Sequence, residues 1–151
     1  MLKSNNYFTS RLSNPADYPA VIKILENLDL PVGGVKDQFE NFIILLKDES
    51  ELIGCAGLEI YKSSGLVRSV AIVPAYQKKK LGSLLVQAVE AQAKTNNLKN
   101  LFLLTETAEK FFLKYGYTTI SRSQVPTEIQ GSFEYTVACK ESAIVMKKDI
   151  L

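Results

Sequence analysis

Apolar residues along the chain switch between a spacing that suits strands and one that suits helices, and the switches predict an alternating order of elements. Residues 7–12 read as a short opening strand, and Tyr18, Val21, Ile22, Leu25 and Leu28 then recur at helical spacing behind starts at Asn14-Pro15 and Asp17. Leu30-Pro31-Val32-Gly33-Gly34 breaks that helix, and 35–42 suits a brief second one. Residues 43–47 and 52–62 read as a hairpin turning near Asp48, Glu49 and Ser50. Ser63-Ser64-Gly65 marks the next turn, and 66–73 is a strand closed by Pro74.

In the second half, Leu81, Leu84, Leu85, Ala88 and Gln92 follow helical spacing, so 82–95 is an amphipathic helix. Residues 101–104 are wholly apolar, as the buried centre of a sheet requires. Ala108, Phe111, Phe112 and Tyr115 form another helical stripe, with Gly116 where a helix-ending glycine belongs. Residues 117–121 and 143–148 read as closing strands around a polar loop. With no internal repeat or linker, the expectation is one α/β domain over residues 1–151.

Composition narrows the chemistry. The 151 residues carry 18 basic and 16 acidic side chains, a net charge of +2, which argues against a dedicated nucleic-acid binder. No apolar run approaches the roughly 18 residues of a membrane helix, so neither a nucleic acid nor a membrane is an expected partner. Histidine is absent, which excludes histidine bases, His-based triads and the usual zinc sites, and no metal is expected. Cys55 and Cys139 form no C-x-x-C pair, and two free thiols in a reducing cytoplasm are expected.

The most informative junction is Val70-Ala71-Ile72-Val73-Pro74 followed by Gln77-Lys78-Lys79-Lys80-Leu81-Gly82-Ser83. A strand feeding a turn that opens a helix leaves several backbone N–H groups pointing one way. With the helix dipole they suit a pyrophosphate, and three consecutive lysines add charge. The same residues also read as a solvated basic turn capping a helix. In the order Gln77-x-x-Lys80-x-Gly82, then Ala108-x-x-Phe111-Phe112-x-x-x-Gly116-Tyr117, the chain resembles the GNAT superfamily of acetyl-CoA-dependent N-acetyltransferases. That resemblance implies a mixed, centrally splayed sheet of about six to seven strands flanked by about four helices.

It also implies acetyl-CoA as co-substrate. Val70 and the Ile72 N–H would then lie along the acyl arm, with Phe112 beside it. Gln77, Lys78, Lys79, Lys80, Leu81, Gly82 and Ser83 would cradle the pyrophosphate. A fixed N–H aimed at a developing oxyanion is the largest catalytic term available to such a site. Two positions depart from the family pattern. Lys80 replaces its first loop glycine, and Phe112 stands where many members carry a tyrosine that protonates the leaving thiolate. Tyr115, three residues on, reads as a substitute acid or as a core tyrosine.

On the acceptor side, Arg68 has the parity of Val70 and Ile72 and is expected on their face of the strand. It suits bidentate capture of a carboxylate or an internal ion pair with Glu59. Glu59 and Glu106 are candidate bases, direct or through water, and also read as ion-paired or surface residues. Carboxylate bases favour an amine of pKa about 8 over a lysine near 10.4, a gap of roughly 3.3 kcal/mol. Leu103-Leu104-Thr105-Glu106-Thr107 and Pro126-x-x-Ile129-x-x-Ser132-x-Glu134-Tyr135 resemble a GNAT subgroup associated with arsenic resistance. They resemble the acetyltransferase domain of N-acetylglutamate synthases less closely. Both relatives imply a small amino-acid-like acceptor. Cys139 reads as a structural cysteine, since a lone thiol makes a poor soft-metal site. An exposed edge strand near the C-terminus leaves room for a homodimer.

Overall fold

The computed structural model describes residues 7–132, 134–138 and 142–151. The expectation for Cys139 lies outside the described residues. Seven strands form one sheet: β1 (Phe8–Leu12), β2 (Ile43–Lys47), β3 (Glu51–Tyr61), β4 (Ser64–Ile72), β5 (Asn100–Thr105), β6 (Thr118–Ile120) and β7 (Ile144–Asp149). Their spatial order is β1-β2-β3-β4-β5-β7-β6. β4 and β5 are parallel, joined by the crossover helix α2 (Leu81–Thr95) numbered after α1 (Tyr18–Asn27), and the other neighbours run antiparallel. The short helices α3 (Glu109–Leu113) and α4 (Thr127–Gln130) complete the set, with 3-10 turns between. Among the described residues, seven strands and four α-helices match the expected architecture.

Helices cover both faces, so the central strands are apolar on both sides. Residues 43–46 of β2 and 53–59 of β3 are all buried. One core packs α2 against the sheet through Leu81, Leu85, Val86, Val89 and Ala93. This corrects the predicted stripe: Leu84 and Ala88 sit at its margin, and Gln92 is half-buried outside it. A second core sets Val21, Ile24 and Leu25 of α1 against Cys55 and Ala71, and a third sets Val125 and Ile129 against Leu66, Phe102 and Val145.

Local chemistry explains the boundaries. The Asn14 side chain accepts from Ala16 N at 3.0 Å while the Asp17 carboxylate accepts from Asn14 N at 2.8 Å, a reciprocal cap leading into α1. Residues Val35–Asn41 form 3-10 turns rather than a second α-helix, kinked where Gln38 leaves helical geometry. The Gln38 side chain is taken up instead by β3, accepting from Ile60 N at 2.7 Å and donating to Ile60 O at 3.1 Å. The β3–β4 turn falls on Lys62 and Ser63, one residue tighter than the predicted Ser63-Ser64-Gly65, with Lys62 at φ 57°. The polar loop before β7 holds α4 and a five-residue π-helical turn, Glu134–Ala138. Neither has enough apolar periodicity to announce itself.

The feature that makes a site is an irregularity in β4. Opposite Cys55 and Gly57 of β3 stand Ala71 and Arg68, so β4 holds one residue more than its partner there. That bulge includes Ser69, at φ 57°. Beyond it β4 and β5 part: their pairing runs from Ser64↔Asn100 to Val67↔Leu103 and no further.

Candidate functional site

The parted strands and the start of α2 bound two adjoining openings. A cavity of about 220 Å³ lies in the splay, lined by residues 67–70 of β4, residues 103–105 of β5, Pro31, Phe111, Phe112 and Glu134. A wider groove of about 450 Å³ follows the loop, lined by Val70, Ile72, Gln77, Lys78, Lys80 and Gly82 among others. Val70 and Phe111 line both, so the two adjoin there.

The groove is built from backbone. Val73 N donates to Ile53 O at 2.9 Å, which turns the end of β4 toward β3 at that residue. Alternation then turns the N–H and C=O of Ile72 into the splay. Gln77 donates its side-chain amide to that carbonyl, Ile72 O, at 2.8 Å, tying the loop to the strand end. Lys78 and Lys80 both adopt left-handed backbone, at φ 65° and 62°, and Lys80 serves as the N-cap of α2 without a side-chain cap bond. The Lys80 side chain therefore leaves the first turn of α2 uncapped, and that turn lines the groove through Leu81 and Gly82. Gly82 sits against Phe111: a Cβ there would lie 2.8 Å from Phe111 Cζ. Lys79 is exposed, and Ser83 lies half-buried in the first turn.

The cavity is built from side chains. Arg68 is 2% exposed, and its Nη1 meets Glu59 Oε2 at 3.1 Å. Its Nε donates to Ser69 Oγ at 3.0 Å and its Nη2 to Pro31 O at 3.3 Å. Glu134 approaches the same Nη2 at 3.4 Å. Tyr61 Oη donates to Glu59 Oε1 at 2.6 Å; burial, then that carboxylate, push the Tyr61 phenol well above its ordinary pKa. Behind the sheet, Cys55 is free and buried, its thiol pushed up to about 12 by burial.

These positions sort the expected residues. Val70, Ile72, Gln77, Lys78, Lys80, Leu81 and Gly82 come together at the groove. Phe112 lines the cavity instead, and Phe111 takes the groove wall. The expectation that Arg68 shares a face with Ile72 is overturned. The extra residue at the bulge reverses the alternation, so Arg68 sides with Ala71 and Cys55 while Ile72 packs toward α2. Arg68 nevertheless reaches the cavity, and its pairing with Glu59 is the ion pair the sequence also allowed. Glu59 stands behind Arg68, outside the cavity lining. Glu106 is exposed and accepts from Ser142 Oγ at 3.1 Å. Tyr115 stacks at 5.0 Å on Phe111 and lines neither opening. Glu134 was missed as a site residue, although it lies in the Ser132-x-Glu134-Tyr135 pattern singled out above. A charged residue in a polar loop carries no signal of burial.

The sequence model of the acetyltransferase (GNAT) domain matches residues 39–119, more than half of the chain. The chain belongs to that family. Among curated proteins, this GNAT chain is 31% identical over 121 residues to the amino-acid acetyltransferase of Proteus mirabilis (strain HI4320), covering 76% of itself and 27% of that relative. It is 28% identical over 121 residues to the amino-acid acetyltransferase of Escherichia coli (strain K12), again covering 76% of itself and 27% of the relative. It thus spans under a third of these curated relatives. Among solved structures, N-acetylglutamate synthase from Neisseria gonorrhoeae, complexed with coenzyme A and N-acetyl-glutamate, superposes with a TM-score of 0.84 at 18% identity, over 98% of this chain and 36% of that one. Rv2747 from Mycobacterium tuberculosis, in complex with CoA, gives 0.79 at 20% identity, over 95% and 99% of the two chains. These likenesses establish the fold. Among the described residues no helix is long and apolar enough to cross a membrane.

Proposed function

We propose that this GNAT domain transfers the acetyl group of acetyl-CoA to the amine of a small, amino-acid-like acceptor, by direct attack while both are bound. The observation that carries the reading is the adjacency of two openings of different chemistry. One is a backbone-lined groove at a helix start, the other a buried polar cavity at the strand splay, and they meet at Val70 and Phe111. The amino-acid acetyltransferases among the curated relatives support the acceptor class.

The residues present fit the donor. Left-handed Lys78 and Lys80 shape the loop that leads into α2, and the free amides of a helix start are what a pyrophosphate needs. Gly82 leaves the groove floor to the Phe111 ring, which a side chain there would displace. Acetyl-CoA, when bound, supplies an activated thioester. The Ile72 N–H, turned into the splay, is a fixed donor for the oxyanion that forms as the amine attacks. Holding amine and thioester in adjoining openings supplies the proximity term. With no histidine in the chain, proton removal falls to a carboxylate and favours an amine of modest basicity. We place this activity in one domain, in a reducing cytoplasm that suits the free Cys55 thiol.

The test is the thermal midpoint with acetyl-CoA, against dephospho-CoA and ATP. Ligand at a hundred times Kd stabilises by about 2.7 kcal/mol, a rise of roughly 5–10 °C for a domain of this size. No rise at millimolar acetyl-CoA refutes the reading. A rise, followed by CoA release with one member of an amino-acid panel, supports it.

A further inference from the structure

Among the described residues, Glu59, Glu106 and Glu134 are carboxylates near the splay, and they differ in what they face. Glu59 is spent on Arg68 and Tyr61. Glu106 is exposed and bonded to Ser142, outside the cavity lining. Glu134 is 7% exposed and stands in the cavity wall with Val70 and Thr105. The charged residues lining that cavity, among the described residues, are Arg68 and Glu134.

Arg68 has little left to offer a substrate carboxylate. Its Nε serves Ser69, its Nη1 serves Glu59, and its Nη2 is shared between Pro31 O and Glu134. Arg68 thus meets two carboxylates, and of the two Glu134 lines the cavity. A carboxylate in that wall suits a cation, and the cation an amine acceptor brings is its ammonium group. Glu134 also rides on a single π-helical turn, a distortion that re-aims side chains and recurs at functional sites.

We propose that Glu134 is the acceptor-side catalytic residue: its carboxylate receives the acceptor's ammonium group and takes one proton from it. The assignment rests on the acetyl-transfer reading above. Arg68 and Glu59 are then positioning residues that hold the Glu134 carboxylate at the cavity wall. In the step itself, the ammonium gives one proton to Glu134, and the freed lone pair forms the N–C bond to the acetyl carbonyl carbon. The C–S bond breaks with its electron pair on sulfur, and the second N–H proton passes to that thiolate. The acid form of Glu134 returns its proton to water.

The experiment is calorimetric titration of the full chain, saturated with CoA, with the twenty L-amino acids. The proposal expects at least one to bind. Glu134→Gln, which keeps shape and removes charge, weakens that binding tenfold or more, while Glu134→Asp weakens it less. Glu26→Gln, on the exposed face of α1, leaves it within twofold. A second arm needs no variant: the hydroxy analogue of the bound amino acid, with –OH in place of –NH3+, binds the unaltered chain at least tenfold more weakly. Binding unchanged in Glu134→Gln, an analogue that binds equally well, or no amino acid bound overturns the assignment. The CoA titration is read separately, and its failure overturns the transfer reading itself.

Discussion

Lys80 gives the sharpest test of how the loop is made. Its backbone sits at φ 62°, ψ 21°, and its exposed side chain makes no cap bond to α2. Left-handed geometry costs a residue with a Cβ about 1–2 kcal/mol. Glycine removes that cost and loses about 0.4–1 kcal/mol through the greater freedom of the unfolded chain. Lys80→Gly should therefore stabilise the fold by about 0.5–1 kcal/mol, a rise of roughly 1–4 °C in the thermal midpoint. Lys80→Ala removes the same charge and keeps the Cβ, so its midpoint should stay within about 1 °C of the parent chain. The difference between the two variants isolates backbone strain from charge. In acetyl-CoA titrations the two should lose affinity equally, by a few-fold at low salt and less at high salt, since both lose one exposed cation. The reasoning fails if Lys80→Gly melts no higher than Lys80→Ala, because the left-handed turn would then carry no strain for glycine to relieve.

Two further outcomes follow from the same geometry. Gly82→Ala places a Cβ 2.8 Å from Phe111 Cζ and should cost about 1–3 kcal/mol by overpacking; in a double-mutant cycle with Phe111→Leu most of that loss should return, and strictly additive losses would show that the contact is not the cause. The Arg11 guanidinium grips Asp17 at 2.7 and 3.0 Å and holds its carboxyl below the usual range. A depressed carboxyl contributes stability that is fully present above its unfolded value of about 3.9 and is lost as pH falls through the lower folded value. Urea midpoints measured from pH 6 to pH 2 should therefore fall less steeply in Asp17→Asn than in the parent, and parallel curves would remove Asp17 as a contributor.

Much of the fold was legible because its signals are local and repeated. The apolar runs of β2, β3 and β5, the helical stripe of α2 and the glycine after α3 each declare themselves within a few residues. Gly116 sits at φ 90°, as its place in the pattern demanded. The loop at Gln77 to Gly82 was legible for the same reason, since strand, turn and helix start are contiguous in the chain. The acceptor side was not. Alternation places Arg68 with Ile72, and only the register against β3 reveals the inserted residue that separates them. Nor does a polar stretch disclose that Glu134 folds back against β4 and is buried there. Register and long-range burial belong to the pairing of distant segments, which one-dimensional periodicity does not carry.

That inserted residue links the parts of the site. The bulge at Ser69 reverses the face of Arg68, bringing its guanidinium to Glu59 and Glu134, and it lies where β4 and β5 cease to pair. The opposite strand is shaped to accept it. Gly57 faces Arg68, and a Cβ there would lie 2.6 Å from Phe42 Cζ and 3.1 Å from Arg68 Cγ. Glycine at that point lets the arginine stem lie flat on β3 beneath Phe42, so the buried cation is held by packing along its length and by hydrogen bonds at its head. A regular β4 would put Arg68 and Ile72 on one face of the sheet, away from this arrangement. The site therefore depends on one irregular step in β4, and on the one residue type opposite it that leaves room for the step.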